Sequence, residues 1–169
     1  MNLVKVLLLV LLFVMTCGIF LGVYFSVTPQ PPQVPSGWQT YQNAAMHYRI
    51  HYPSNWFINN ERSEYVMLTN FPSNEAGSEF FNPGQAKLDI FEMSKEEFAY
   101  SGQMGNKFNE VIVRGIPMVV QTESNGHPVL IYYIPRGSNY LVLGGYYGEN
   151  EDKKVYEELK EVMGGIELL

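Results

Sequence analysis

His47 and His51 are four residues apart, the spacing at which two imidazoles on one helix grip a single zinc ion. Here they fall in a segment of alternating character, residues 46–52, where Tyr48, Ile50 and Tyr52 take one face and His47, Arg49 and His51 the other. That alternation predicts a strand, and along a strand the two rings stand about 13 Å apart, beyond the reach of one ion. The row is therefore expected to be a solvated face able to meet a partner, not a metal site. Glu149, Glu151 and Asp152 offer clustered oxygens of the kind calcium takes, and a weak calcium site is one reading of them. They also stand at the start of a helical pattern, where carboxylates complement the helix dipole and repel phosphate. This argues against a phosphate cradle at Gly144-Gly145-Tyr146-Tyr147-Gly148, despite its glycines.

Nucleophilic catalysis has little to work with. The only cysteine is Cys17, and no serine sits in a Gly-x-Ser-x-Gly elbow, since Ser138 after Gly137 reads as part of a turn. A hydrolase would need a hydroxyl, a histidine and a carboxylate brought together by the fold alone. No enzyme and no cofactor are expected. The long stretch 71–85 carries adjacent rings at Phe80 and Phe81, which read as a cap on the core or as a partner-binding tip. The candidate partner-binding residues are thus Phe80, Phe81, His47, Arg49 and His51.

The location of these residues is set by the start of the chain. Residues 6–27 are 22 uncharged, mainly aliphatic and aromatic positions, enough helix to cross a hydrocarbon core of about 30 Å. This is longer than the apolar part of a cleaved signal, and Pro29 disfavours cleavage after Ser26-Val27-Thr28. Residues 1–27 are expected to be an uncleaved anchor. Lys5 before the span and an acidic chain after it put the N-terminus in the cytoplasm and the remainder outside the cell membrane. Lipidation at Cys17 is the competing reading, but Thr16 before it and Gly18-Ile19-Phe20-Leu21 after it fit a lipobox poorly. Residues 28–37 hold four prolines and predict an extended spacer.

Residues 38–169 then form one domain. All 17 Asp and Glu and all but one of the 11 Lys and Arg lie there, so its surface is acidic and ill suited to nucleic acid or anionic lipid. Without a cysteine it holds no disulfide and depends on its core. Alternation predicts further strands at 65–69, 86–92, 110–114 and 117–123, with a tight turn at Gly115. Residues 129–134 and 140–143 are apolar at every position, so that part of the sheet must be covered on both faces. Residues 151–163 carry Val155, Leu159, Val162 and Met163 on one helical stripe, and Ser94 with Glu97 makes a capping box for a shorter helix. Gly164-Gly165 ends the longer helix before a short last strand at 166–169. The fold class is α+β, a mainly antiparallel sheet of about six to eight strands flanked by helices, an α-β-α sandwich after one transmembrane helix.

Trp38-Gln39-Thr40-Tyr41-Gln42-Asn43 and then Tyr48-Arg49-Ile50-His51-Tyr52-Pro53-Ser54-Asn55-Trp56 resemble the opening of PsbP-like domains, in which an aromatic strand runs into a Tyr-Pro-x-x-Trp corner. The closing helix and short strand at 155–169 agree with that family. The resemblance implies an α-β-α sandwich serving as a binding or assembly module. It brings no metal motif onto residues of this chain, and His47 and Arg49 depart from the family pattern, so partner identity does not carry over. Two alternatives to a protein-binding module are a small-ligand or cation sensor and, less favoured, a hydrolase.

Overall fold

Alternating segments become strands wherever a neighbour completes their backbone hydrogen bonds. The strands are β1 (Trp38–Asn43), β2 (Tyr48–Pro53), β3 (Phe57–Arg62), β4 (Tyr65–Thr69), β5 (Ala86–Ser94), β6 (Phe108–Val113), β7 (Ile116–Ser124), β8 (His127–Arg136), β9 (Asn139–Tyr147) and β10 (Glu167–Leu168). Helix α1 (Lys95–Gln103) follows β5 and helix α2 (Lys153–Gly164) follows β9. The computed structural model describes residues 34–72, 82–103, 106, 108–124, 127–148 and 153–169. The apolar stretch 6–27, Cys17, Phe80, Phe81, Glu149, Glu151 and Asp152 lie outside the described residues. Among the described residues, no helix is long and apolar enough to cross a membrane.

The strands make two antiparallel sheets, where the sequence predicts one. Seven strands run in the order β3-β4-β5-β9-β8-β7-β6, and three in the order β1-β2-β10. The division falls at the Tyr52-Pro53-Ser54-Asn55-Trp56 corner. Pro53 has no amide to donate, Ser54 N bonds to Gly37 O at 2.9 Å, and Trp56 turns inward to 4 % exposure. The Trp56 indole N–H donates to Glu158 Oε1 on α2 at 2.6 Å, which satisfies the polar edge of the buried ring. Strand β3 escapes sequence reading because Phe57-Ile58 gives way to Asn59-Asn60-Glu61-Arg62, with no apolar alternation.

The core lies between the inner face of the large sheet and a layer made of α2 and the small sheet. Leu68, Leu88, Ile90, Leu130, Tyr132, Leu141 and Leu143 meet Val155, Leu159, Val162 and Met163 of α2 and Tyr48, Ile50 and Tyr52 of β2. Helix α2 and the neighbouring strand β8 both approach closely at Gly145, where a Cβ would stand 2.8 Å from Met163 Sδ and 2.9 Å from the Leu130 carbonyl oxygen. The glycine pair in β9 is thus a packing device. On the opposite face, Phe98 of α1 sits among Tyr140, Tyr133 and Phe108, with ring centroids at 4.5, 4.8 and 4.9 Å. This is the two-sided cover that the apolar strands β8 and β9 require.

Helix α1 begins at the predicted capping box. Glu97 N donates to Ser94 Oγ at 3.1 Å and Ser94 N to Glu97 Oε2 at 2.8 Å. These bonds hold the Glu97 carboxyl below its ordinary range, the Ser94 backbone bond first. The Gly115 turn also forms where expected, with Arg114 and Gly115 both left-handed at φ 50° and 82° between paired Val113 and Ile116.

Candidate functional site

The outer face of the three-stranded sheet gathers the polar side chains of three strands. The register sets Thr40 across from His51, Gln42 across from Arg49, and Arg49 across from Glu167. Glu167 bridges two of them: Oε1 lies 3.1 Å from His51 Nε2 and Oε2 accepts from Arg49 Nη1 at 3.2 Å. On its other nitrogen, His51 Nδ1 is 2.8 Å from Thr40 Oγ1, while Arg49 Nη2 donates to Gln42 Oε1 at 3.3 Å. An ionised carboxylate only accepts, so a neutral His51 carries its proton on Nε2, donates it in the hydrogen bond to Glu167, and accepts a hydrogen bond from the Thr40 hydroxyl at Nδ1.

Short connections position this array. Gly164-Gly165 closes α2, buried Ile166 anchors the turn, and Glu167 then emerges on the outer face. A Cβ at Gly165 would stand 3.1 Å from Val162 O and 3.3 Å from His51 O, so the helix end passes directly over β2. Arg136, at the end of β8, donates to the carbonyl oxygens of Met46 and His47, tying the small sheet to the large one. Leu169 N donates to the same His47 oxygen at 3.0 Å.

The predicted row of three basic residues is corrected in two places. His47 is not on the strand: β2 begins at Tyr48, and His47 occupies the preceding turn in a left-handed conformation with φ 48°. His51 is not solvated, being 5 % exposed between Thr40 and Glu167. Arg49 meets the expectation, with 39 % of its side chain exposed. Thr40, Gln42 and Glu167 were not singled out from the sequence. Glu167 lies 116 positions from His51, and the one usable signal was an acid within a short terminal strand. Phe80 and Phe81, the other partner candidates, lie outside the described residues.

A second polar group lies on the opposite face of the large sheet. Tyr65 donates to Asp89 Oδ1 at 2.7 Å, Lys87 Nζ meets Asp89 Oδ2 at 2.8 Å, and Nζ stands 5.0 Å over the Tyr146 ring. Burial, then the neighbouring Asp89, raises the Tyr65 hydroxyl well above the usual phenol range. Tyr65, Asp89 and Lys87 thus satisfy one another, which describes a structural inset. Among the described residues, no three His, Cys, Asp or Glu side chains group as a metal site would need.

A groove of about 460 Å³ opens beside β6, lined by Glu110, Ile112, Pro117, Val119 and Pro135 among others. Ile112 at its rim is 77 % exposed.

No protein-family model matches the chain, and no curated protein is similar to it. Two solved structures share its fold. The cyanobacterial PsbP (CyanoP) of Synechocystis matches with a TM-score of 0.50 and 8 % identity over 84 % of this chain and 99 % of its own. A protein of Bacteroides thetaiotaomicron matches with a TM-score of 0.50 and 12 % identity over 79 % of this chain. The chain spans about half the length of that Bacteroides protein, 49 %. The domain therefore has a PsbP-like fold, a mostly antiparallel sheet with two helices.

Proposed function

We propose that this protein is a membrane-tethered, extracytoplasmic binding module that recognises a protein partner through the outer face of its three-stranded sheet. Residues 6–27 serve as the anchor and the proline-rich stretch as the spacer. The observation that carries the reading is the fixed Arg49 guanidinium, 39 % exposed and oriented by both Glu167 and Gln42. A long cationic side chain ordinarily loses rotamer freedom on binding, and one already held in place loses less. The PsbP-like fold agrees with a binding role, as the family resemblance implies.

The test compares full-length wild type and Arg49→Glu in the native membrane by cross-linking and identification of captured proteins. One recurrent protein captured by the wild type and lost from an equally stable variant supports the reading; an identical capture set from both overturns it.

Hydrolysis is the second reading, favoured by the chain of hydroxyl, imidazole and carboxylate formed by Thr40, His51 and Glu167. Two features weigh against it. Glu167 is shared with Arg49, and Thr40 lies on an extended edge strand, not on the sharp turn that presents a serine nucleophile in hydrolase elbows. Ester turnover lost in Thr40→Val but retained in Arg49→Ala would favour hydrolysis over binding. The sensor alternative rests on Glu149, Glu151 and Asp152 and predicts a melting shift with calcium.

A further inference from the structure

Strands β3 and β6 are the two edges of the seven-stranded sheet. A bare edge invites pairing with another chain, and proteins guard against this with bulges, charges or short strands. The β3 edge is guarded, since its ladder shifts register between Asn59 and Arg62 and its second half reads Asn59-Asn60-Glu61-Arg62. The β6 edge is not. It pairs with β7 in unbroken register from Phe108 to Val113, and it carries Val111-Ile112-Val113. Ile112 is the most exposed large apolar side chain among the described residues, at 77 %.

We propose that β6 pairs antiparallel with β6 of a second copy of this chain, about a two-fold axis through Ile112, joining the two seven-stranded sheets into one. The occupant and the register both follow from Glu110-Val111-Ile112-Val113 of β6 and Arg114, the turn residue that follows it, an order that complements itself when read in reverse. In this register Val111 faces the partner's Val113 and Ile112 faces the partner's Ile112, while Glu110 comes beside the partner's Arg114, the turn residue just past the end of the strand. Glu110 and Arg114 are exposed, and neither joins an ion pair among the described residues. Opposite charges brought together at the ends of paired strands favour pairing and like charges oppose it. An axis through Glu110 would set two carboxylates against each other. This inference is independent of the partner proposed for the small sheet.

The test uses the full-length chain in lipid nanodiscs with Cys17→Ser, so that an introduced thiol is the only one. Under mild oxidation, Ile112→Cys is expected to give a covalent dimer, and Arg62→Cys on the β3 edge is not. Glu110→Arg added to Ile112→Cys should cut dimer yield at least tenfold, and adding Arg114→Glu to that pair should restore it. A chain that stays monomeric, equal cross-linking at position 62, or no rescue by the double exchange would each overturn the proposal.

Discussion

Glu167, two residues from the C-terminus, closes on His51 at 3.1 Å across 116 positions of chain and holds Arg49 with its second oxygen. One carboxylate thus orders both the buried and the exposed members of the outer face. It also fixes β10, whose ladder to β2 consists of Glu167 with Arg49 and Leu168 with Tyr48.

Glu167→Gln keeps the shape but loses the charge. It should lower stability by about 1–2 kcal/mol, the range for a charge-assisted hydrogen bond discounted for partial exposure. Denaturant unfolding measures the loss, and NMR of the imidazole nitrogens should show His51 losing its fixed tautomer. An unchanged His51 spectrum would remove Glu167 from the array.

Tyr48 offers a change in the opposite direction. Its ring is wholly buried and its hydroxyl makes no well-formed hydrogen bond among the described residues, with the Asn43 side chain the polar group that acts on it. Asn43, across the ladder, donates from Nδ2 to Ser63 O and accepts from Met46 N at Oδ1. Tyr48→Phe removes an unsatisfied polar atom without altering the packing, so it should stabilise by about 1 kcal/mol. A lower melting temperature would show that the hydroxyl has a partner.

The elements visible in the sequence were those with a local cause. The capping box at Ser94 and Glu97, the Gly115 turn, the inward Trp56 and the doubly covered strands β8 and β9 each rest on residues within a few positions of one another. What sequence reading missed is non-local. Strand β3 pairs through backbone groups that any side chain provides, the split into two sheets depends on how the chain leaves Trp56, and the burial of His51 depends on a carboxylate from the last strand. Alternation placed Arg49 and His51 on one face correctly, but it could not show that His51 would be buried while Arg49 stays partly exposed.

Gly145 limits how closely α2 can approach β9. Gly145→Ala would drive a methyl against Met163 Sδ and the Leu130 carbonyl oxygen, and overpacking of this kind costs about 1–3 kcal/mol. The backbone oxygen cannot swing aside as a methionine can, so the variant should unfold at clearly lower denaturant concentration. Retention of wild-type stability would mean that the helix shifts freely.

Alkaline pH should unfold the domain early. Burial pushes the Tyr133 hydroxyl up to about 12 and raises Tyr48, Tyr52, Tyr65, Tyr132, Tyr146 and Tyr147. Above the ordinary phenol value of about 10 the unfolded chain loses these protons before the folded one, so stability present below that pH is lost as pH rises. Phenolate absorbance should lag free tyrosine and then rise together with loss of the fold. Independent titration of the tyrosines in a still-folded protein would contradict the burial pattern.

The central claim, recognition through the outer face of the small sheet, is tested most directly by a photo-cross-linking residue at Gln42, beside Arg49, in the full-length protein in its native membrane. The same residue at Glu92, on β5 of the large sheet, is the control. One protein should be captured from position 42, absent from position 92 and lost when Arg49→Glu is added. Equal capture from both positions, or capture that persists in Arg49→Glu, would contradict it.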